Sequence, residues 1–331
     1  MQLSKQTIGR AVLLTFALVA VAMLAGTGWE SWAEARDAGR FPAPGKLVDV
    51  GGRRLHILCK GAQRGPTVVM VAGGGTPAVV SYQLQDRIAR FAHVCSYDRA
   101  GLGWSDASAR ALTFDEQAGD LARVLNSAHE AGPFVFVPES FGGLIVMAFA
   151  ARHPDQVSGI VFLDAAEPDL WFEAMKDQSG VDADLRGMVM QAAWRTGAVR
   201  LLFPVLAPDW VDALPQPRRG ELRAVYSRPA PGYAEALDAY RVTPAGRRPR
   251  LDARSLGTRP VIVIRHGRPS AMLSPAFERG WQAAQVRLAG ISRKGIVVTA
   301  ANADHAVAQE APDLAAAQVR KLLSEIPGSA R

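Results

Sequence analysis

Short apolar stretches of strand length alternate along most of the chain with longer stretches of helical period. "KLVDV" and "RRLHILCKG" predict two short strands, joined through Gly51-Gly52 as a hairpin. "PTVVMVAGGG" is continuously apolar and stops at three glycines, the pattern of a strand buried on both faces. An amphipathic stretch over 81–91 leads to a fourth strand, "HVCSYDRAG". Thr113, with Glu116 three residues on, predicts a capped helix that Gly132-Pro133 ends. "FVFVPE" then predicts a strand, "FGGLIVMAFAARH" a helix stopped by Pro154, and "VSGIVFLD" a sixth strand.

The alternation breaks near residue 165. Up to about residue 255 there are aromatic-rich helical pieces between prolines: "DLWFEAM", "MVMQAAWRTGAVRLLF" and "YAEALDAYR". Strand pattern resumes with "RPVIVIRHG" and "GIVVTAA", with helices over 275–290 and 306–323. The fold class predicted is α/β: a mostly parallel eight-stranded sheet with helices on both faces. The insertion after the sixth strand, 165–255, reads as a helical lid over the sheet's C-terminal edge, where open α/β sheets bind ligands.

The first 28 residues stand apart. Lys5 and Arg10 precede "AVLLTFALVAVAMLAG", which carries no charge from residue 11 to 26. Its length lies between a signal-peptide core and a minimal membrane span. Small residues at Gly26 and Gly28 fit a cleavage site, while Trp29 and Trp32 fit interfacial anchoring. Either reading, signal-anchor or cleaved signal peptide, carries the rest of the chain outside the cytoplasmic membrane, membrane-anchored or secreted. Membrane contact is expected through residues 11–28. Residues 29–45 read as a short polar helix running into a Pro-rich linker.

Composition narrows the function classes. With 331 residues, 49% of them hydrophobic, the chain can build one large core. The net charge of +7 is carried almost wholly by arginine, with acids interspersed as in "RRPRLDAR". No basic block or aromatic-interleaved stripe occurs, so no nucleic-acid partner is expected. Cys59 and Cys95 lack the C-x-x-C or Cys/His spacing of a metal site, so no metal is expected.

Four segments carry candidate chemistry and converge at one sheet edge if the topology holds. Ser140 lies between the fifth strand and a helix, a turn that lifts its hydroxyl above the sheet and sets the Phe141 N–H at a helix N-terminus. A serine there also serves as a plain N-cap. "AGGG", Ala72 to Gly75, ends the third strand, and Gly74 or a neighbour offers a second N–H to an oxyanion. His305 follows the last strand, on the same edge; His266, ending the seventh, is the alternative base. Asp164 ends the sixth strand and is the candidate acid, with Asp304 and Glu167 as lesser choices. The loop after the seventh strand holds no carboxylate until Glu278.

The order Ser140, Asp164, His305 is the nucleophile–acid–base order of α/β-hydrolases. From about residue 46 to 325 the chain resembles that superfamily, and within it the bacterial serine hydrolases with a DRAGLGWS-type stretch, here residues 98–105. "SFGGLIV" and "PDLAAAQVRKLL" also fit. The resemblance implies a core of 46–164 and 256–325. It also implies a serine hydrolase that cleaves an ester-like acyl bond through an acyl-enzyme, with no cofactor. Its substrate is expected to be a small acyl compound with an apolar part, bound against lid residues such as Trp171 and Phe172; Trp194, Phe203 and Trp210 belong to the same aromatic set. These aromatics also read as lid core.

Two residues depart from the family pattern. The usual His-Gly at the oxyanion strand is Ala72-Gly73, and the usual glycine two residues before the nucleophile is Pro138. Both favour a second reading, a catalytically silent member that binds a ligand or partner under its lid. In the family's sheet the second and fourth strands are neighbours, so the resemblance also implies a Cys59–Cys95 disulfide in an oxidising compartment; two separate buried thiols are the alternative.

Overall fold

The computed structural model describes residues 5–176, 181–212, 214–228, 239–244, 247–249, 251–269 and 274–326. Most of the expected helix "YAEALDAYR", and four residues of the loop after the seventh strand, lie outside these.

The eight strands form one sheet in the order β1-β2-β4-β3-β5-β6-β7-β8. They are β1 (Lys46–Asp49), β2 (Arg54–Lys60), β3 (Val68–Val71), β4 (Val94–Tyr97), β5 (Phe134–Pro138), β6 (Val157–Leu163), β7 (Pro260–His266) and β8 (Lys294–Ala300). β1 and β2 make the expected hairpin, β2 pairs antiparallel with β4, and every later pairing is parallel. The continuously apolar strands are buried on both faces. Phe134 and Phe136 of β5 enter one core cluster, and Val135 and Val137 enter the other.

Helices cover both faces. α2 (Tyr82–Ile88) leads into β4. α3 (Phe114–Ser127) starts with the reciprocal cap read from the sequence: Thr113 accepts from the Glu116 N–H, and the Glu116 carboxylate accepts in return from the Thr113 N–H. α4 (Gly142–Arg152) follows β5 directly. Between β6 and β7 lie α5 (Pro168–Lys176), α6 (Val181–Arg195), α7 (Ala198–Leu206), α8 (Asp209–Asp212) and α9 (Arg218–Tyr226). α10 (Pro275–Ala289) lies between β7 and β8, and α11 (Val307–Glu310) and α12 (Pro312–Ser324) follow β8.

The chain divides into two compact units, Met1–Pro42 with Leu185–Ala230, and Ala43–Asp184 with Pro231–Arg331. The second holds the sheet. The helical insertion is therefore shared between the units instead of forming one body with boundaries at 165 and 255.

In the first unit the expected break after residue 28 is absent, because α1 runs unbroken from Lys5 to Arg40. The helix continues through Gly26 and Gly28, and the hydroxyls of Thr27 and Ser31 donate to the carbonyls of Met23 and Thr27 at 2.8 and 2.9 Å. The polar half of α1 is held by long-range charge. Glu30, Ala33 and Asp37 lie on one helix face and are buried. Arg200 of α7 donates to both Glu30 oxygens, at 2.7 and 2.8 Å, and to Asp37. Removing one member of such a buried network leaves an unpaired charge, a loss of roughly 3–5 kcal/mol. The helix stops where Pro42 and Pro44 cannot continue it. The span Gly9–Arg40 is long and apolar enough to cross a membrane by length and composition; its most apolar window has mean hydropathy 2.2 and none of it is buried.

Candidate active site

The turn between β5 and α4 is built to hold Ser140 out of the sheet. Ser140 has φ +48°, the left-handed region that side chains avoid. Backbone bonds lock it there: the Ser140 N–H donates to Leu163 O at 3.1 Å, and the Ser140 carbonyl accepts from Ala166 and Gly143 at 2.9 and 3.0 Å. The glycines that follow permit close packing. A Cβ on Gly142 would lie 2.3 Å from the Val71 carbonyl oxygen, and one on Gly143 would lie 2.8 Å from the Ala165 Cβ. No side chain fits at either position.

Pro138 is accommodated in the same strand. It closes β5 opposite Val71 of β3, and pairing resumes at once as the Glu139 N–H donates to Val71 O at 2.9 Å. The ladder loses the proline's own donor while both later residues stay bonded.

His305 and Asp164 reach the serine from two other strand ends. His305 lies on the loop after β8; its Nε2 is 2.9 Å from Ser140 Oγ and its Nδ1 is 2.7 Å from Asp164 Oδ2. Asp164 follows β6 at once, with φ +41°, and is fully buried. The distances are those of a hydrogen-bonded nucleophile, base and orienting acid.

Asp164 has further partners, among them His266, which the sequence offered only as the alternative base. Oδ2 also faces His266 Nδ1 at 2.7 Å and accepts from the Trp281 indole at 3.0 Å, while Oδ1 accepts from the His266 N–H at 3.1 Å. The other nitrogen of His266 faces Glu278 Oε1 at 2.6 Å. Glu278 thus lies against His266. His266, held between two carboxylates, is not placed as a base for Ser140. The Gln282 amide donates to Glu278 at 2.9 Å.

These contacts set the charges. Burial draws His266 down, but the hydrogen bonds and charges of Asp164 and Glu278 outweigh it and push its pKa up to about 9. Burial would raise Asp164, yet hydrogen bonds from His266 and His305 hold it below the usual carboxylate value. Burial likewise lowers His305, while the bond to Asp164, its charge and that of Glu139 leave the imidazole above its ordinary value; the His266 charge works the other way. Glu139 is buried beside the serine and raised by that burial.

Beside the serine, a Cβ built on Gly73 would lie 3.4 Å from the Ser140 Cβ; Gly74 is its exposed neighbour. The loop is shaped by Arg99, a residue of the DRAGLGWS stretch whose role was not read from sequence. Its buried guanidinium donates to the carbonyls of Ala72 and Gly73, both at 2.6 Å, and lies over the Phe141 ring at 5.5 Å. Its neighbour Asp98 accepts from the N–H of Ala78 and Trp104 and faces His56 Nδ1. The amides of Glu139, Ser140, Gly142 and Gly143 are engaged in the turn, whereas no backbone acceptor takes the Phe141 N–H among the described residues.

Trp171 and Phe172 of α5 belong to a buried aromatic cluster with Phe114 and Tyr240. Phe172 is 2% exposed and offers no open wall; Trp171 packs on Phe141 at 5.8 Å. Cys59 and Cys95 face one another across β2 and β4 and are joined as a disulfide.

Among the described residues, two clusters bring metal-type ligand atoms within 4.8 Å of one another: Asp164 with His266 and His305, and Cys59 with His93, Cys95 and Glu130. In the first the atoms bond to each other, and in the second the two sulfurs do.

Residues 66–241, more than half of the chain, match the model of the α/β-hydrolase fold, and the chain belongs to that family. It is 32% identical over 175 residues to a pimeloyl-[acyl-carrier protein] methyl ester esterase of Chromobacterium violaceum, covering 51% of this chain and 65% of that protein. It is 26% identical over 199 residues to a 2-hydroxymuconate semialdehyde hydrolase of Pseudomonas sp. (strain CF600), covering 52% and 70%. Of three further curated relatives, from Schizosaccharomyces pombe and Bacillus subtilis, the chain spans 29%, 45% and 49% of the length. Among solved structures, a thermophilic esterase from Thermogutta terrifontis superimposes with TM-score 0.58 at 18% identity, over 85% of this chain and 97% of that one. That likeness concerns the fold.

Proposed function

We propose that this protein is a serine hydrolase that cleaves an ester-like acyl bond by way of an acyl-enzyme. The observation that carries the reading is the unbroken hydrogen-bond path from Asp164 through His305 to Ser140, at 2.7 and 2.9 Å. Ser140 Oγ attacks the acyl carbon as His305 Nε2 takes its proton, while Asp164 stays ionised and holds the imidazolium. The N–H groups of Phe141 and Gly74 receive the developing oxyanion, and Arg99 fixes the loop that carries Gly74. His305 then gives its proton to the leaving oxygen. A water molecule, deprotonated by His305, releases the acid and restores Ser140.

His266 and Glu278 act behind Asp164. The bridging imidazolium keeps Asp164 a carboxylate and tempers the basicity of His305. The curated relatives named as an esterase and a hydrolase support the reaction class. The silent-binder reading rested on Pro138 and Ala72; the bonded turn at Ser140 weighs against it.

The same proposal places the sheet-bearing unit outside the cytoplasmic membrane, held by residues 11–28 of α1 as an anchor. The test of the chemistry is hydrolysis of a short p-nitrophenyl ester by wild type and Ser140→Ala. Equal turnover by the two would overturn the assignment.

A further inference from the structure

The unit built around α1 carries exposed apolar side chains on two helices. On α6, Leu185, Met188 and Val189 recur at i, i+3 and i+4 and are 58%, 68% and 60% exposed. On α7, Leu201, Leu202 and Val205 are 65%, 49% and 79% exposed, while Arg200 between them and the preceding turn is buried against α1. Single exposed apolar residues are ordinary on a soluble surface. Two consecutive helices, each presenting an apolar face, mark an interaction surface.

We propose that the α6–α7 hairpin is a lipid-docking surface, bedded in the interfacial layer of the same bilayer that α1 enters. The inference rests on the anchor reading of α1 and adds to it a second element in contact with lipid.

The occupant is indicated by where the hairpin meets α1. Its two-residue turn, Thr196-Gly197, packs on α1 at the end of the apolar run. A Cβ on Gly26 would lie 2.8 Å from the Thr196 carbonyl oxygen, and one on Gly197 would lie 2.5 Å from the Trp29 ring. Gly26 belongs to the uncharged run, and Trp29 and Trp32 are exposed at its boundary, with the Arg36 guanidinium 5.1 Å over the Trp32 ring. Trp and Arg in this order are the usual furniture of a membrane–water boundary. The hairpin turn is therefore level with the point where α1 leaves the apolar layer.

The Glu30–Arg200–Asp37 network then fixes α7 along the emerging polar end of α1, since parting them would strand buried charges. α7 so held, with an apolar outer face, and α6, with the exposed Arg195 at its end to reach the headgroups, lie in the plane of the interface.

Full-length protein, reconstituted in phosphatidylcholine–phosphatidylglycerol vesicles, tests this without recourse to activity. Single cysteines at Met188, Leu201 and Val205 are labelled with an environment-sensitive NBD dye under non-reducing conditions, which leave Cys59–Cys95 intact. Leu18→Cys on α1 serves as the membrane reference. The expected result is blue-shifted emission at the three hairpin sites, quenched roughly twofold or more by nitroxide-bearing lipids. Aqueous emission at the hairpin beside a quenched Leu18→Cys would overturn the proposal and leave the anchor standing. Blue-shifted emission that nitroxide lipids leave unquenched would also overturn it, by showing that protein covers the face. An unquenched Leu18→Cys would overturn the anchor, and the proposal in the form stated here.

Discussion

Replacing His266 by glutamine tests how the charge behind Asp164 governs the base in front of it. At a pKa of about 9 the His266 ring is cationic throughout the acid range. The ligand atoms of His266, Asp164 and His305 lie within 4.8 Å of one another. Two unit charges at that separation repel by about 3 kcal/mol at an effective dielectric constant of 20, and by about 1 kcal/mol in bulk water. At 1.36 kcal/mol per pKa unit this brackets a displacement of roughly 0.6 to 2.5 units, and spreading of charge over the rings favours about 1. The sign follows from the mechanism. His305 must be neutral to accept the serine proton, so activity falls as pH drops through its pKa. Without the neighbouring cation His305 protonates more readily, and the acid limb of the kcat/KM profile moves to higher pH by about 1 unit. Glutamine retains a donor for Asp164, so a merely structural role would lower kcat and leave the limb in place. An unmoved limb refutes the electrostatic role of His266.

Other outcomes follow from the same contacts. Asp164→Asn should cut turnover by about a thousandfold or more with the fold intact, checked by steady-state kinetics and circular dichroism. Arg99→Met should lower kcat by roughly a hundredfold, because the loop carrying Gly74 loses two charge-assisted bonds, and equal kinetics would remove Arg99 from the account. Pro138→Gly should leave the reaction of Ser140 with a fluorophosphonate intact or faster; a gain from no reaction at all would mean that proline disables the turn. His266 has a folded pKa near 9 against an unfolded value of 6.5, so its stabilisation is complete below about pH 6.5 and is lost as pH rises through about 9. Calorimetry should show Tm falling over that window, and less steeply for His266→Gln.

The sheet was legible in the sequence because its strands are read locally. Continuous apolar runs bounded by glycines declare strands buried on both faces, as in β3 and β5. Ser140, Asp164 and His305 were visible as candidates because each sits at a strand end that the topology carries to one edge. The contacts that join His266 and Glu278 to Asp164 were not. His266 meets Asp164 only through the β6–β7 pairing, and Glu278 meets His266 only through the seating of α10 against it, neither of which has a local signature. Arg99 stood in a recognised stretch, yet its bonds to Ala72 and Gly73 span more than two dozen residues. The unbroken α1 was hidden for a similar reason. Residues 29–40 look like a solvated helix until Arg200, far along the chain, neutralises Glu30 and Asp37 in the interior.

The central claim is that Ser140 is a working nucleophile. Its most direct test is to label the folded wild-type protein with a fluorophosphonate and map the modified peptide by mass spectrometry. The account predicts one phosphonylated residue, Ser140, with labelling abolished in Ser140→Ala and strongly slowed by His305→Ala. A wild type that stays unlabelled, or a label carried by another serine, would contradict it.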